Sequence, residues 1–381
     1  MDFRLSDEQK LLQESIGRFI AGEYTLEKRR SYMKQPEGFS RDNWRKLAEL
    51  GLLGLPLPED AGGSGGSGPD VMVVMEQFGR GLVVEPYLAS IILCGGLLKQ
   101  ADGHGDLLSA LAGGELLMAF AHGERQARYT LHDVETTARR TGGGFVLNGQ
   151  KSVVLHGDSA DKLIVSARTA GASRDRHGIS LFVIDRSAKG VSVRGSPTID
   201  GLRSAEIALA DVAVGADAVL GAADEALPLI ERAVDGAIAA VCAEAVGIMG
   251  ALVETTLDYL KTRQQFGAPI GRNQALQHRM VDAQIAYEQA KSMACLAAMM
   301  ADSMDDTARR RAISAAKVQI GRSGKFIGQQ AVQLHGGIAM TDEYKAGHHF
   351  KRLTMIGSQF GDADHHLGLF AALGGAESEA A

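Results

Sequence analysis

The hydrophobic period changes twice along this 381-residue chain, and no other feature limits the fold as much. Apolar residues recur at helical spacing at the start, gather into short β-branched runs in the middle, and return to helical spacing towards the end. Ser6 precedes Leu11, Leu12, Ile16, Phe19 and Ile20, with Gln9 three residues on, the pattern of a capping box leading into an amphipathic face. Trp44, Leu47, Leu50, Leu52 and Leu53 repeat that spacing. Pro56 to Glu59 predict an extended segment running into a flexible, glycine-rich connection from Gly62 to Gly68, which lacks the Gly-Lys-Ser/Thr ending of a phosphate loop. Helices are expected again over Val71 to Phe78 and Leu107 to Leu111.

The middle stretch reads as strands. Val134 to Ala138 and Phe145 to Leu147 flank a glycine turn at Gly142 to Gly144, followed by Val153 to Leu155, Lys162 to Ser166, Ile179 to Ile184 and Ala205 to Leu209. Runs this short, bounded by turn residues, predict a small antiparallel barrel or sandwich. Leu227 to Lys261, Gln274 to Asp302 and Thr307 to Leu334 are long helical patterns, with Pro269 and Gly271 breaking the first link and a fourth helix expected near the C-terminus. The expected class is therefore α+β multidomain: an α-helical domain over 1–117, a central β domain over 118–225, and a C-terminal helical bundle over 226–381.

Composition narrows the functions. A formal net charge of −6 gives no basic surplus for nucleic acid or an anionic membrane surface. The three cysteines, Cys94, Cys242 and Cys295, are scattered and form no CxxC pair, which favours reduced thiols in a cytoplasmic protein. The start MDFRLSDEQK has no signal-peptide core, and no uninterrupted apolar run predicts a membrane span. His348-His349 and His365-His366 lack a cysteine framework at metal spacing, so no metal site is expected; Lys351 and Arg352 beside them suit phosphate or partner contacts. Met280, Met293, Met299 and Met300 fall at helical spacing and are expected in the bundle core.

Four motifs stand in order along the chain: Leu53-Gly54-Leu55-Pro56-Leu57-Pro58-Glu59 with Gly62-Gly63, Asn148-Gly149-Gln150-Lys151, Arg263-Gln264-Gln265-Phe266-Gly267, and Gln333-Leu334-His335-Gly336-Gly337. Their order and spacing resemble the acyl-CoA dehydrogenase family over essentially the whole chain. The resemblance implies FAD as cofactor, oxidation of an acyl-CoA thioester to a 2,3-enoyl-CoA, and electron-transfer flavoprotein as acceptor. In such chemistry a carboxylate removes the α proton while the β hydrogen leaves as hydride. The residues matching the family's clasp on the adenine and diphosphate end of FAD, lent to a neighbouring subunit, are Arg263, Phe266, Gln274, Gln333, Gly336 and Gly337. Arg263 offers a forked cation, and the glycines allow close backbone approach. Asp235 matches a substrate contact near the coenzyme A chain.

The family's catalytic glutamate stands either late in the chain or early in the first bundle helix. Those positions hold Phe360 and Ala237, and the arginine beside the early one is replaced by Ile238. The flavin-wall tryptophan falls on Val153, the hydroxyl two residues on becomes Leu155, and Gly123-Glu124-Arg125 and Arg128-Tyr129-Thr130 stand in the segment before them, where only Glu124 persists. Two other carboxylates are candidates for the base. Glu244 lies two turns beyond Ala237 among Val241, Cys242, Ala245 and Val246, as a base of raised pKa or as a paired core residue or subunit contact. Asp362 lies two residues past the late position. The segments from Lys151 to Lys162 and from Phe360 to His366 resemble small subunits of pimeloyl-CoA dehydrogenases. That likeness implies a heterotetramer with a large subunit and a medium-chain, dicarboxylyl substrate, whose distal carboxylate Arg125 or Arg128 could meet. A self-sufficient homotetramer and a non-redox acyl-CoA-binding scaffold are the alternatives.

Overall fold

The structure, a computed structural model, describes residues 4–378, and side chains as far as Gly374. In chain order the helices are α1 (Asp7–Glu23), α2 (Leu26–Met33), α3 (Arg41–Glu49), α4 (Gly68–Gly81), α5 (Gly96–Leu98), α6 (Gly105–Ala112), α7 (Leu227–Thr262), α8 (Gln274–Met300), α9 (Asp306–His335), α10 (Lys345–Ser358) and α11 (Ala363–Ser378). The strands are β1 (Met118–Ala121), β2 (Thr137–Thr141), β3 (Gly144–Leu155), β4 (Lys162–Arg168), β5 (Ile179–Asp185), β6 (Val191–Pro197), β7 (Arg203–Gly215), β8 (Val219–Leu220), β9 (Gln264–Gln265) and β10 (Ala268–Pro269). Helices, strands and helices thus follow one another along the chain. By packing, however, the chain groups into two compact units rather than by element type. One comprises the segments up to Ser31, Ser67–Val83 and from Ile238 onward; the other comprises Tyr32–Gly66 and Val84–Ala237.

The second unit is built on the sheet. β1 to β8 form one sheet in the order β6-β7-β3-β2-β4-β5-β8, with β1 running parallel to β4 and most other pairs antiparallel. The β2–β3 hairpin closes on Gly142 and Gly143, and Thr141 pairs with Gly144. Phe145, Leu147, Leu163, Val165, Phe182, Ile207 and Val212 form the centre of its core. Each such side chain contributes about 1.5–3 kcal/mol on burial. Val134 to Thr136, expected in β2, lie outside it, because Glu135 and Thr136 give their N–H groups to the Glu124 carboxylate. The edge strand β6 escapes a search for hydrophobic runs, since its residues alternate between half-buried and exposed and it contains Gly195 and Pro197.

Two local expectations change in this unit. The glycine-rich segment is not a free connection: Ser64 N–H donates to Gly54 O (3.0 Å), Gly65 to Leu57 O (2.8 Å) and Gly66 to Leu55 O (2.7 Å). A Cβ at Gly63 would sit 2.2 Å from Leu57 O, so the glycines serve close backbone packing. Before it, residues 51–56 are consecutive turns and Leu57 a bend; of the expected extended segment Pro58 is extended, at φ −62° and ψ 149°, and Glu59 opens a single 3-10 turn. The stretch from Tyr87 to Gly95 winds as a π-helix into α5, a form that period 3.6 does not announce.

The first unit is helical. Ser6 and Gln9 make the expected reciprocal capping box on α1. Asp305 caps α9, whose buried face runs through Ile313, Ala316, Ile320, Ile327, Ala331 and Leu334 at helical spacing. Gly328 permits a close approach of α10, as an added Cβ would lie 2.7 Å from the Phe350 ring. Two helices, α10 and α11, occupy the region where one was expected. Met280 is core, whereas Met299 is 41% exposed. α7 is long and apolar enough to cross a membrane by composition, yet 89% of its most apolar window is buried, which makes it a core helix.

Two buried histidines of this unit carry a pH prediction. Burial pushes both His349 and His366 down to about 4, against the pull of the carbonyls of Arg80 and Lys345 on the first and of Phe360 on the second. Lys345 and Arg29 face His349, and Lys317, His365 and Asp362 face His366. Folded, both stay neutral where the unfolded chain, titrating near 6.5, takes up protons. Their contribution to stability is therefore lost as pH falls from 6.5 towards 4. Urea unfolding at pH 5 should show about 2 kcal/mol less stability per histidine than at pH 7.

Candidate functional site

The sequence candidates gather most clearly at one end of the helical unit, where α7 and α9 finish together. Arg263 follows directly on α7, its N–H donating to Tyr259 O (2.8 Å) and its carbonyl accepting from Ile270 N–H (2.9 Å). The β9–β10 hairpin follows, with Phe266 and Gly267 at its turn, at φ 55° and 79°. Two consecutive positive φ values favour Asn-Gly; a phenylalanine there is strained. Phe266 is also fully exposed, at 104%. The strained backbone therefore gains nothing from burial of the ring, which is left open to solvent.

Gln274 opens α8, and Gln333 lies in the last turn of α9. Both are exposed, as are Arg263, Gly336 and Gly337. Gly336 turns the chain with φ 66°, ψ −146°, and nothing lies within 4 Å of a Cβ built on either glycine. Ile338 and Met340 just beyond are 42% and 77% exposed. The rings of Tyr259 and His335 are 4.7 Å apart, which brings the two helix ends together. A guanidinium fork, side-chain amides, an apolar ring and open glycine backbone suit a diphosphate joined to an aromatic base. This donor set fits the adenine–diphosphate end of FAD.

The positions of the expected base are apolar in space as in sequence. Ala237 is fully buried and Ile238 is 4% exposed. Phe360 has φ 59° and sits in a loop held from several sides: Lys317 Nζ donates to Ile356 O (2.6 Å) and Gly361 O (2.9 Å), and His366 Nε2–H donates to Phe360 O (3.0 Å). Such an over-determined loop can sustain the strain of a left-handed phenylalanine.

The substitute carboxylates are both engaged. Glu244 is buried but not in apolar surroundings, because Arg352 grips it through Nε and Nη2 at 2.6 Å each. It is a paired core residue, and Arg352, expected at a phosphate or a partner, is its counter-ion. Asp362 accepts the N–H of His365 (2.9 Å) and so caps α11. Asp235 is buried in the N-terminal half of α7. Among the described residues no group of three His, Cys, Asp or Glu side chains converges as a metal site would need.

In the sheet unit the altered segment is built around a buried ion pair. Lys151 Nζ lies 2.6 Å from Glu124 Oε1 and 3.0 Å from Ser166 Oγ, with Lys151 fully buried. Burial works against the charge of Glu124, but Lys151 and hydrogen bonds from Gln126 and Glu135 hold its pKa at about 2. Between Lys151 and Val154 the β3–β7 register shifts, and Val153 is left 63% exposed at φ 53°. Arg125 is exposed and pairs with Glu206 at 3.3 Å. The sequence carries both Glu124 and Lys151 without a local sign that they pair; a charged Lys151 within a strand pattern is its one signal of a buried partner.

The chain matches, in order, the acyl-CoA dehydrogenase N-terminal domain over residues 6–101, the middle domain over 119–212 and the C-terminal domain over 227–371. Acyl-CoA dehydrogenase FadE12 of Mycobacterium tuberculosis is 31% identical over 350 residues, covering 89% of this chain and 88% of its own. The FAD complex of PigA superposes with a TM-score of 0.91 at 26% identity, covering 98% of this chain and 99% of that one. The Tcur3481–Tcur3483 steroid ACAD does so with a TM-score of 0.85 at 26% identity over the same shares.

Proposed function

The chain belongs to the acyl-CoA dehydrogenase family of FAD-dependent oxidoreductases acting on CH–CH bonds, and on that premise we propose that it is the small subunit of a two-chain enzyme. In this reading it lends half a FAD site to a larger partner that carries the catalytic base. One contrast carries the proposal. The clasp residues Arg263, Phe266, Gln274, Gln333, Gly336 and Gly337 stand exposed and unfilled by the chain itself, while Ala237 and Phe360 leave both base positions without a proton acceptor. The two carboxylates that could replace the base are held in a buried ion pair and a helix cap. A further support is that one solved relative carries two chain designations, Tcur3481–Tcur3483.

Bound FAD supplies the hydride acceptor for the β hydrogen. Arg263 would neutralise the diphosphate, Phe266 would offer an apolar face to the adenine, and Gln333 and the backbone at Gly336 and Gly337 would complete the cradle. Asp235 contacts the coenzyme A chain. The substrate is a medium-chain acyl-CoA, in the narrower form a dicarboxylyl-CoA such as pimeloyl-CoA, with Arg125 or Arg128 as the cation for its distal carboxylate. Electron-transfer flavoprotein takes the electrons onward, in the cytoplasm.

The test is to purify the chain alone and with its large subunit. The isolated chain is expected colourless or weakly yellow and inactive, and the mixture yellow and active. Full flavin occupancy with turnover by the isolated chain would overturn the proposal in favour of the self-sufficient homotetramer.

A further inference from the structure

The clasp residues stand on separate helix ends, so its geometry depends on whatever holds those ends together. Three rings occupy that place. Tyr259 of α7 lies 4.7 Å from His335 of α9, and His335 lies 5.0 Å from Tyr344, the residue before α10. Tyr259 and Tyr344 meet edge-on at 6.5 Å, which closes the triangle.

Each of the first two rings is joined to the clasp through the backbone. The carbonyl of Tyr259 accepts the N–H of Arg263, and His335 stands two residues past Gln333 and directly before Gly336. His335 is buried, and its Nδ1–H donates to Ala331 O (2.8 Å), which sets the plane of the imidazole. Burial lowers its pKa below the ordinary imidazole value, against the pull of the Ala331 and Thr255 carbonyls. The φ of 66° at Gly336 then turns the chain away at once, leaving the backbone of Gly336 and Gly337 open.

We infer that the Tyr259–His335–Tyr344 cluster is the positioning device of the FAD clasp, holding Arg263 at a fixed distance from Gln333 and the Gly336–Gly337 backbone. None of the three rings is required to touch the cofactor; they set the spacing of the groups that do. The inference rests on the clasp reading above and adds to it a cause for the clasp's geometry.

A cluster that only stabilised the fold would weaken every ligand alike, whereas a spacing device acts on the adenosine end alone. The experiment therefore compares FAD with riboflavin 5′-phosphate, which lacks that end, by titration into the flavin-free assembled enzyme. His335→Leu removes the central ring, and the FAD dissociation constant is expected to rise about tenfold, the size of one or two aromatic contacts. Riboflavin 5′-phosphate affinity is expected to stay unchanged, and His335→Phe, which keeps a ring, to recover most of the FAD affinity. Tyr344→Leu alters a half-buried ring outside the core and serves if His335→Leu does not fold. Equal losses for both flavins, or no loss of FAD affinity, overturn the inference. Should the isolated chain prove active, the two-chain reading fails, and the same comparison on that chain still decides the role of the cluster.

Discussion

Replacing Arg352 by methionine is expected to cost about 3–5 kcal/mol of folding stability, measured by urea unfolding, because it strands the Glu244 carboxylate in the interior without its counter-ion. Both side chains are nearly inaccessible, at 6% and 9% exposure, and the guanidinium meets the carboxylate in a two-point grip at 2.6 Å. A carboxylate buried this way depends on that grip. Glu244→Leu together with Arg352→Met removes the unmet charge along with the pair, and is expected to recover most of the loss. A single variant as stable as the unmodified protein would show that Glu244 finds another partner, and would reopen it as a proton acceptor.

The second large effect concerns catalysis. In the assembled two-chain enzyme, Asp362→Asn should leave turnover within about twofold, whereas removing the base carboxylate of the large subunit should lower it by about 10²–10⁴. Asparagine can accept the His365 N–H as aspartate does, so the cap of α11 survives the exchange. Steady-state turnover with an acyl-CoA and an artificial electron acceptor measures both. A collapse of turnover on Asp362→Asn, with folding intact, would place the base in this chain and sink the division of labour proposed here.

These two residues show where reading along the chain stops. Glu244 was legible as a buried acid on a helix face, and among its neighbours in sequence it looked apolar on all sides. Its partner lies 108 residues away on another helix. The same holds for Lys151 and Glu124, 27 residues apart, and for Lys317, which meets the loop after α10 across 44 residues. Periodicity reports which face of an element is buried, but not which charge will be waiting there. Asp362 carries a local signal as well: an aspartate ahead of an apolar run is a cap signal, and its carboxylate accepts the His365 N–H.

What the sequence determined by itself was the order of elements, the capped start of α1, the long bundle helices and the membership of a family, since these rest on periodicity and on short motifs that are local. It also offered the proposed clasp residues, all but Gln274 within a motif a few residues long. Only the tertiary structure decided that Phe266 stands strained and fully exposed, that Gly336 and Gly337 face open space, and that the glycine segment after Pro58 is tied down by backbone hydrogen bonds. It also decided that Glu244 is paired. Exposure and pairing are properties of what comes to lie alongside a residue, and distant segments are brought alongside by packing.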